Sequence, residues 1–260
     1  MAQVTSIVKM VYNTIFKALL VLISACGMIF AFVTGGYLIQ FLSSIASSSV
    51  DVSKPGGATS TLWAMTVNLS LLCIFMFQHS VMAKPLFKRA LYSSGFQVVE
   101  RSIYVIATSL ALQCVMLYWH PIPWINLWNV DTSGTVLWSV FTAAHCFAWC
   151  IIYSGSLMMD IAELLGIKQV FYYLRGLPDP VTYKSRELQR FYLHMRHPSF
   201  TGFLILFWVY PLMSLDRALL AGLWTLYMIV AWNVDQFDYQ YQSHQLRKKQ
   251  YEMVHSKVMY

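Results

Sequence analysis

The chain has 260 residues, of which 58% are apolar, 16% aromatic and only 11% charged, with 18 Lys and Arg against 11 Asp and Glu and a net charge of +7. Soluble globular chains carry about 25% charged residues, and so few charges cannot cover a water-facing surface of this size. A disordered chain is excluded by the apolar content, a disulfide-stapled secreted scaffold by five scattered Cys, and an independent nucleic-acid-binding domain by the lack of any long soluble stretch.

Stretches free of Lys, Arg, Asp and Glu recur along the chain, and each can supply a helix of ~20 residues for a ~30 Å hydrocarbon core. They predict spans at about 15–42, 61–83, 102–119, 135–159, 199–215 and 219–234, with 235–260 a polar tail. The runs are too long for barrel strands, and in lipid a helix satisfies its own backbone. The expected fold is therefore an all-α polytopic membrane bundle of about six helices, forming a single integral-membrane domain. The last two helices are expected to form a tight hairpin turning at Ser214–Arg217.

All basic residues except Lys54 and Arg217 fall at the N-terminal end, in the second and fourth loops or in the tail. The positive-inside rule then puts both termini in the cytoplasm or nucleoplasm. The first apolar run exceeds a secretory signal core and reads as a retained anchor. Cys26, Cys73, Cys114, Cys146 and Cys150 all lie within expected spans, where they read as small buried apolar residues.

Polar groups inside a membrane are costly, so those found there are candidates for function. Gln78, His79 and Ser80 close the second span, and Glu100 and Arg101 open the third. Asp160 and Glu163, three residues apart, read as two acids on one helix face. His145, Cys146 and Cys150 share spacing but lack a second ligand pair, so no metal site is expected. At Arg196-His197-Pro198-Ser199-Phe200-Thr201-Gly202, Pro198 suits a first helical turn and Gly202 permits close approach. Arg196 and His197 at that helix mouth favour an anionic group. No GxSxG, GxxxxGK[ST] or GxGxxG motif occurs.

That R-H-P-x-aromatic-x-G stretch resembles the C-terminal signature of integral-membrane methyltransferases, such as isoprenylcysteine carboxyl methyltransferase, phospholipid methyltransferases and methanethiol S-methyltransferases. Gln78–Ala83, Glu100-Arg101-Ser102-x-Tyr104 and Gly166-x-x-Gln169-Val170 extend the likeness. Within that superfamily, several ordered stretches resemble the nurim family of multipass inner nuclear membrane proteins. They include Arg101-Ser102-x-Tyr104-Val105, Tyr118-Trp119-x-Pro121-Ile122-Pro123, Lys168-Gln169-Val170, Asp216-Arg217 and Asp235-Gln236-x-Asp238.

The resemblance implies two functions. One is a structural or interaction role in the inner nuclear membrane, with the bilayer and nuclear lamina or chromatin-associated proteins as partners. The other is methyl transfer from S-adenosylmethionine to a lipophilic acceptor or a small thiol or carboxylate. In the second, Arg196, His197, Gly202, Asp235 and Gln236 hold the cofactor, while Gln78, Arg101 and Tyr104 line the acceptor side. His79 and Glu163 are then the candidate catalytic groups. Relatives with activity carry a Glu-Glu pair where this chain has Asp235-Gln236, so one carboxylate is shortened and the other neutralised.

Overall fold

The computed structural model describes residues 2–44, 57–158, 160–183, 199–231 and 247. Four long helices dominate: α1 (Ala2–Ser43), α2 (Ala58–Ala83), α4 (Glu100–Leu117) and α5 (Thr135–Met158), with the short α3 (Pro85–Ser93) between the second and third. Stretches within or around these four, Thr5–Ser43, Ala58–Ala83, Gln97–Leu117 and Thr135–Leu157, are long and apolar enough to cross a membrane. Two short helices, α6 (Ile161–Leu164) and α7 (Ile167–Leu174), follow α5, and α8 (Phe200–Trp208) and α9 (Leu215–Ala231) come last. The described parts of α8 and α9 have 9 and 17 residues.

α1 begins well before the expected residue 15. Lys9 and Lys17 interrupt the apolar run, but no Gly or Pro breaks the backbone before Gly27. α2 stops at Ala83 because Pro85 starts the next helix at its first turn, where a missing N–H costs nothing.

The helices contact one another in the order α1, α4, α2, α9, α8, α5, and α1 also touches α8. Contacts fix the relative directions. Gly27 faces Ser102 and Thr34 bonds Gln113, so α1 and α4 run parallel. Tyr104 meets His79 while Asn68 meets His120, so α4 and α2 run antiparallel. A Cβ at Gly27 would lie 3.3 Å from the Ser102 carbonyl, so glycine sets the α1–α4 spacing. The core is built around Leu42, Leu72, Phe75, Ala148, Leu206, Phe207, Leu220 and Trp224. Outward faces carry Leu62, Trp63, Phe77, Leu117 and Phe147 at more than 60% exposure, which suits lipid rather than water. Cys73, Cys114, Cys146 and Cys150 are also exposed there, contrary to their expected burial: they fall on the outer stripe of each helix.

The connection between α8 and α9 differs from the expected turn. The reversal occupies residues 209–214, and Leu215 already begins α9. Its strand β2 (Leu212–Ser214) pairs antiparallel with β1 (Asn126–Asn129) from the α4–α5 connection, with a bulge between Asn126 and Trp128. Val130 N–H also donates to the Pro211 carbonyl and Leu215 N–H to that of Ile125. Among the described residues, the helical bundle thus carries one small clasp at the end away from Lys84, Lys88 and Arg89.

Candidate functional site

The basic end of the bundle holds most of the candidate side chains. The last turns of α2 bring His79 against the first turns of α4, where the Tyr104 hydroxyl lies 2.9 Å from a His79 ring nitrogen. The Arg101 guanidinium stands 5.3 Å from the Tyr104 ring centroid, while its Nε–H donates to the Leu164 carbonyl at 2.8 Å. One turn of α4 therefore links α2 to α6. Ser102 adds a bond to the Leu165 carbonyl at 3.2 Å. That approach requires Gly166, at φ +84°, because a Cβ there would fall 2.4 Å from Ser102 Oγ and 2.8 Å from its nitrogen.

α9 closes the other side. Tyr227 Oη shares a 2.9 Å hydrogen bond with Ser80 Oγ, and its ring meets the His79 ring edge-on at 6.2 Å. Phe75 stacks on His79 at 5.6 Å and is itself covered by Trp224. Gln78 donates to Met82 Sδ at 3.0 Å, while its Oε1 is buried without a hydrogen-bond partner among the described residues.

Glu163 is buried, and its backbone carbonyl receives the Gln169 amide at 3.2 Å. Asp160 does not share its helix face as the spacing suggested. With φ +59° it stands outside α6 as the N-cap, accepting from Glu163 N–H at 3.3 Å and pairing with Lys168 at 2.6 Å. The Lys168 hydrogen bond holds the Asp160 carboxyl below its usual range, and the same bond raises the Lys168 ammonium.

The structure thus gathers His79, Arg101 and Tyr104, with Gln78 and Glu163 on adjoining turns. Gly202 sits elsewhere, buried between α8 and α5. A Cβ there would lie 2.7 Å from Ile152 Cγ1 and 2.8 Å from the Ala148 carbonyl. Protein fills the space its missing side chain leaves. Arg196, His197, Asp235 and Gln236 lie outside the described residues.

A second polar centre, at the clasp end, was missed by the sequence reasoning. Buried Asp216 accepts from Trp119 Nε1 at 2.8 Å, Ile122 N at 3.0 Å and Ser214 Oγ at 2.7 Å. Its neighbour Arg217 donates to the Leu42 and Leu206 carbonyls at 2.7 and 3.3 Å, capping the last turns of α1 and α8 together. Beside it His145 bonds the Val209 carbonyl and Ser43 Oγ, both at 2.8 Å. The carbonyl can only accept, so Nε2 carries the proton and Nδ1 accepts from Ser43. Ser43 in turn accepts from Trp149 Nε1 at 2.8 Å. The signal available was an acid and a base side by side in a loop otherwise poor in charge.

The chain is similar to the nurim homolog of Drosophila pseudoobscura pseudoobscura, 39% identical over 248 residues that cover 92% of this chain and 98% of the relative. It belongs to the nurim family. It is also similar to nurim of Danio rerio, 38% identical over 85% of this chain and 86% of the relative, and to nurim of Homo sapiens, 42% identical over 73% of each. No family model matches the chain, and no solved structure does. The His79–Arg101–Tyr104 group and the Asp216–Arg217 clasp are thus two polar ends of a multipass membrane protein of nurim type.

Proposed function

We propose that this multipass protein resides in the inner nuclear membrane and has a structural or interaction role there. One observation carries the reading: His79, Ser80, Arg101, Ser102 and Tyr104 at the basic rim are spent on bonds between helices and to the backbone that follows α5. His79 bonds Tyr104, Ser80 bonds Tyr227, and Arg101 and Ser102 bond the backbone of 164–165. Such ties hold helices at fixed spacing, as a platform requires. The bilayer is one partner, and the basic rim suits acidic surfaces of lamina or chromatin-associated proteins. Retention follows from the bundle, so a tagged chain cut after Gln245 is expected to label the nuclear rim as the full chain does. Dispersal of the full chain through the peripheral endoplasmic reticulum would refute the location. Dispersal of the truncated chain alone would move retention to the tail.

A second reading, methyl transfer from S-adenosylmethionine, is favoured by the convergence of His79, Arg101 and Tyr104 where α9 passes Ser80 at Tyr227, eight residues before Asp235 in the sequence. In it Arg196 and His197 hold the cofactor's anionic side and Asp235 faces the sulfonium. Equilibrium binding of S-adenosylhomocysteine to the purified chain, lost in Arg196→Ala, is the expected result. Absence of binding by the unaltered chain removes this reading and leaves the first.

A further inference from the structure

α1 runs for 42 residues, about 63 Å of helix, where a hydrocarbon core of ~30 Å takes half that length. The excess lies at its N-terminal end. Leu20 packs with Val99, and the Phe16 ring lies 6.3 Å from that of Phe96. That is the level at which the membrane-length stretch Gln97–Leu117 of the parallel α4 begins. Residues 5–15 therefore stand beyond α4 on its basic side, and every one of them is exposed. No Gly or Pro interrupts the helix there, so this outer part continues the axis of the inner one rather than folding down onto the bilayer.

The spacing along its exposed face is regular. Val8, Val11, Ile15, Ala18 and Leu22 follow one another at steps of three and four, and the same steps reach Phe32 without meeting a polar residue. Apolar residues at such steps, held over more than three heptads, form the seam of a coiled coil. The bundle uses the other side of α1: Leu20, Gly27 and Thr34, seven residues apart, meet Val99, Ser102 and Gln113. Two residues turn a helix by about 200°, so Leu22 and Ile29 point away from that contact. Val8, Val11, Ile15, Leu22, Ile29 and Phe32 are 48–64% exposed.

Within lipid such a face is ordinary. Beyond it, Val8, Val11 and Ile15 meet water, and covering them is favourable. A second copy of the chain fits this face along its whole length. Two copies in one membrane have the same orientation, so their α1 helices are parallel and at equal depth, and each seam meets itself in register. Val8 and Ile15, one heptad apart, put β-branched side chains where they favour two strands. No charge opposes the pairing. Lys9 and Lys17 lie off the seam, and its flanking residues Ile7, Tyr12, Thr14 and Leu19 are uncharged.

We propose that α1 pairs with the α1 of a second copy of this chain in a parallel dimer, its seam running from Val8 to Phe32 and its outer part standing clear of the bilayer. The seam lies on the side of α1 away from α4 and is independent of the function that the His79–Tyr104 group serves.

The test mixes full chains carrying a donor or an acceptor fluorophore in phosphatidylcholine vesicles and dilutes them with lipid. Energy transfer above that of random encounter is expected. Ile15→Glu, which sets like charges across the seam, should weaken the association at least about tenfold. Asn13→Glu, on the opposite face, should leave it unchanged. A second measurement reads the face itself. Single cysteines at residues 6–15, in a chain whose native cysteines are replaced by alanine, are oxidised in the same vesicles. Cross-linking between copies should peak at Val8→Cys, Val11→Cys and Ile15→Cys and be least at Ser6→Cys and Asn13→Cys. All these positions are exposed in the single chain, so the substitutions spare its fold. Transfer at the random level in the unaltered chain overturns the proposal and leaves the seam to lipid or to another part of the same chain. Equal cross-linking at every position also overturns it, as does an equal effect of Ile15→Glu and Asn13→Glu.

Discussion

Asp216→Ala removes one buried carboxylate and strands the donors that converge on it. Trp119 Nε1 at 2.8 Å and Ile122 N at 3.0 Å lose their acceptor, while Ser214 Oγ–H can turn to another. A buried donor left unsatisfied costs about 1–3 kcal/mol, so two predict a loss of about 2–6 kcal/mol. Breaking a buried charged network from one side falls in the same range. In a chain of this size that lowers the unfolding midpoint by roughly 10 °C. The assay is thermal unfolding of the purified protein in detergent, followed by near-UV circular dichroism. Trp119→Phe removes one donor together with its need for an acceptor and is expected to cost about 1 kcal/mol. In the double variant the two losses should fall short of additivity by about 1–2 kcal/mol. An Asp216→Ala midpoint within measurement error of the unaltered protein, or strict additivity with Trp119→Phe, would refute the reasoning.

Three further outcomes are expected. Gly166→Ala forces a Cβ against Ser102 Oγ and N at φ +84°, so it should cost more than Gly202→Ala, where the main clashes are with the Ile152 side chain and the Ala148 carbonyl. Losses of at least ~2 kcal/mol and about 1–3 kcal/mol respectively should appear in the same unfolding assay. Tyr104→Phe deletes the bond to His79 and should lower stability by about 1 kcal/mol, while His79→Ala in that background should cost less than it does alone. The Asp160–Lys168 pair sets a pH dependence with a definite sign. Asp160 is depressed below 3.8, so its contribution is present above that value and fades as pH falls below it. Lys168 is raised above 10.5, so its contribution is full below that value and fades at higher pH. The stability difference between the unaltered chain and Lys168→Met should therefore be flat near neutrality and shrink at both extremes, and a maximum at acid pH would contradict the pairing.

The apolar runs made the long helices legible, because a run of that length in lipid has no other way to satisfy its backbone. The limits of α2 and α5 lie close to the expected ones since Pro85 and Asp160 interrupt the pattern at their ends. The start of α1 was hidden because basic residues mark a membrane edge without ending a helix. The clasp was hidden for a different reason. Asn126-Leu127-Trp128-Asn129 has four exposed positions and no alternation of burial, and its partner lies in a distant connection. At the rim, His79, Arg101 and Tyr104 stood out as polar groups at span ends. Tyr227 and Trp224 did not, since one tyrosine in an aromatic-rich helix carries no mark until packing selects it. Asp216 stood only in the expected Ser214–Arg217 turn and in a family-like pair with Arg217, and the fold alone shows that residues 119–122 cover it.

The clasp also sets an order for biogenesis. Ile122 N–H and the carboxylate that receives it are 94 residues apart in the chain. At ~5–20 residues per second of synthesis, the α4–α5 connection waits roughly 5–20 s before Asp216 exists. During that interval α1, α2 and α4 are already made and α5 follows, while Trp119 and Ile122 lack their Asp216 acceptor and strand β1 lacks β2. The final hairpin supplies those partners, and its Arg217 reaches the last turn of α1, the first helix to be made. Assembly therefore ends with a closing step at one end of the bundle, and a chain stalled before residue 212 retains its long helices but lacks the fastening that joins them.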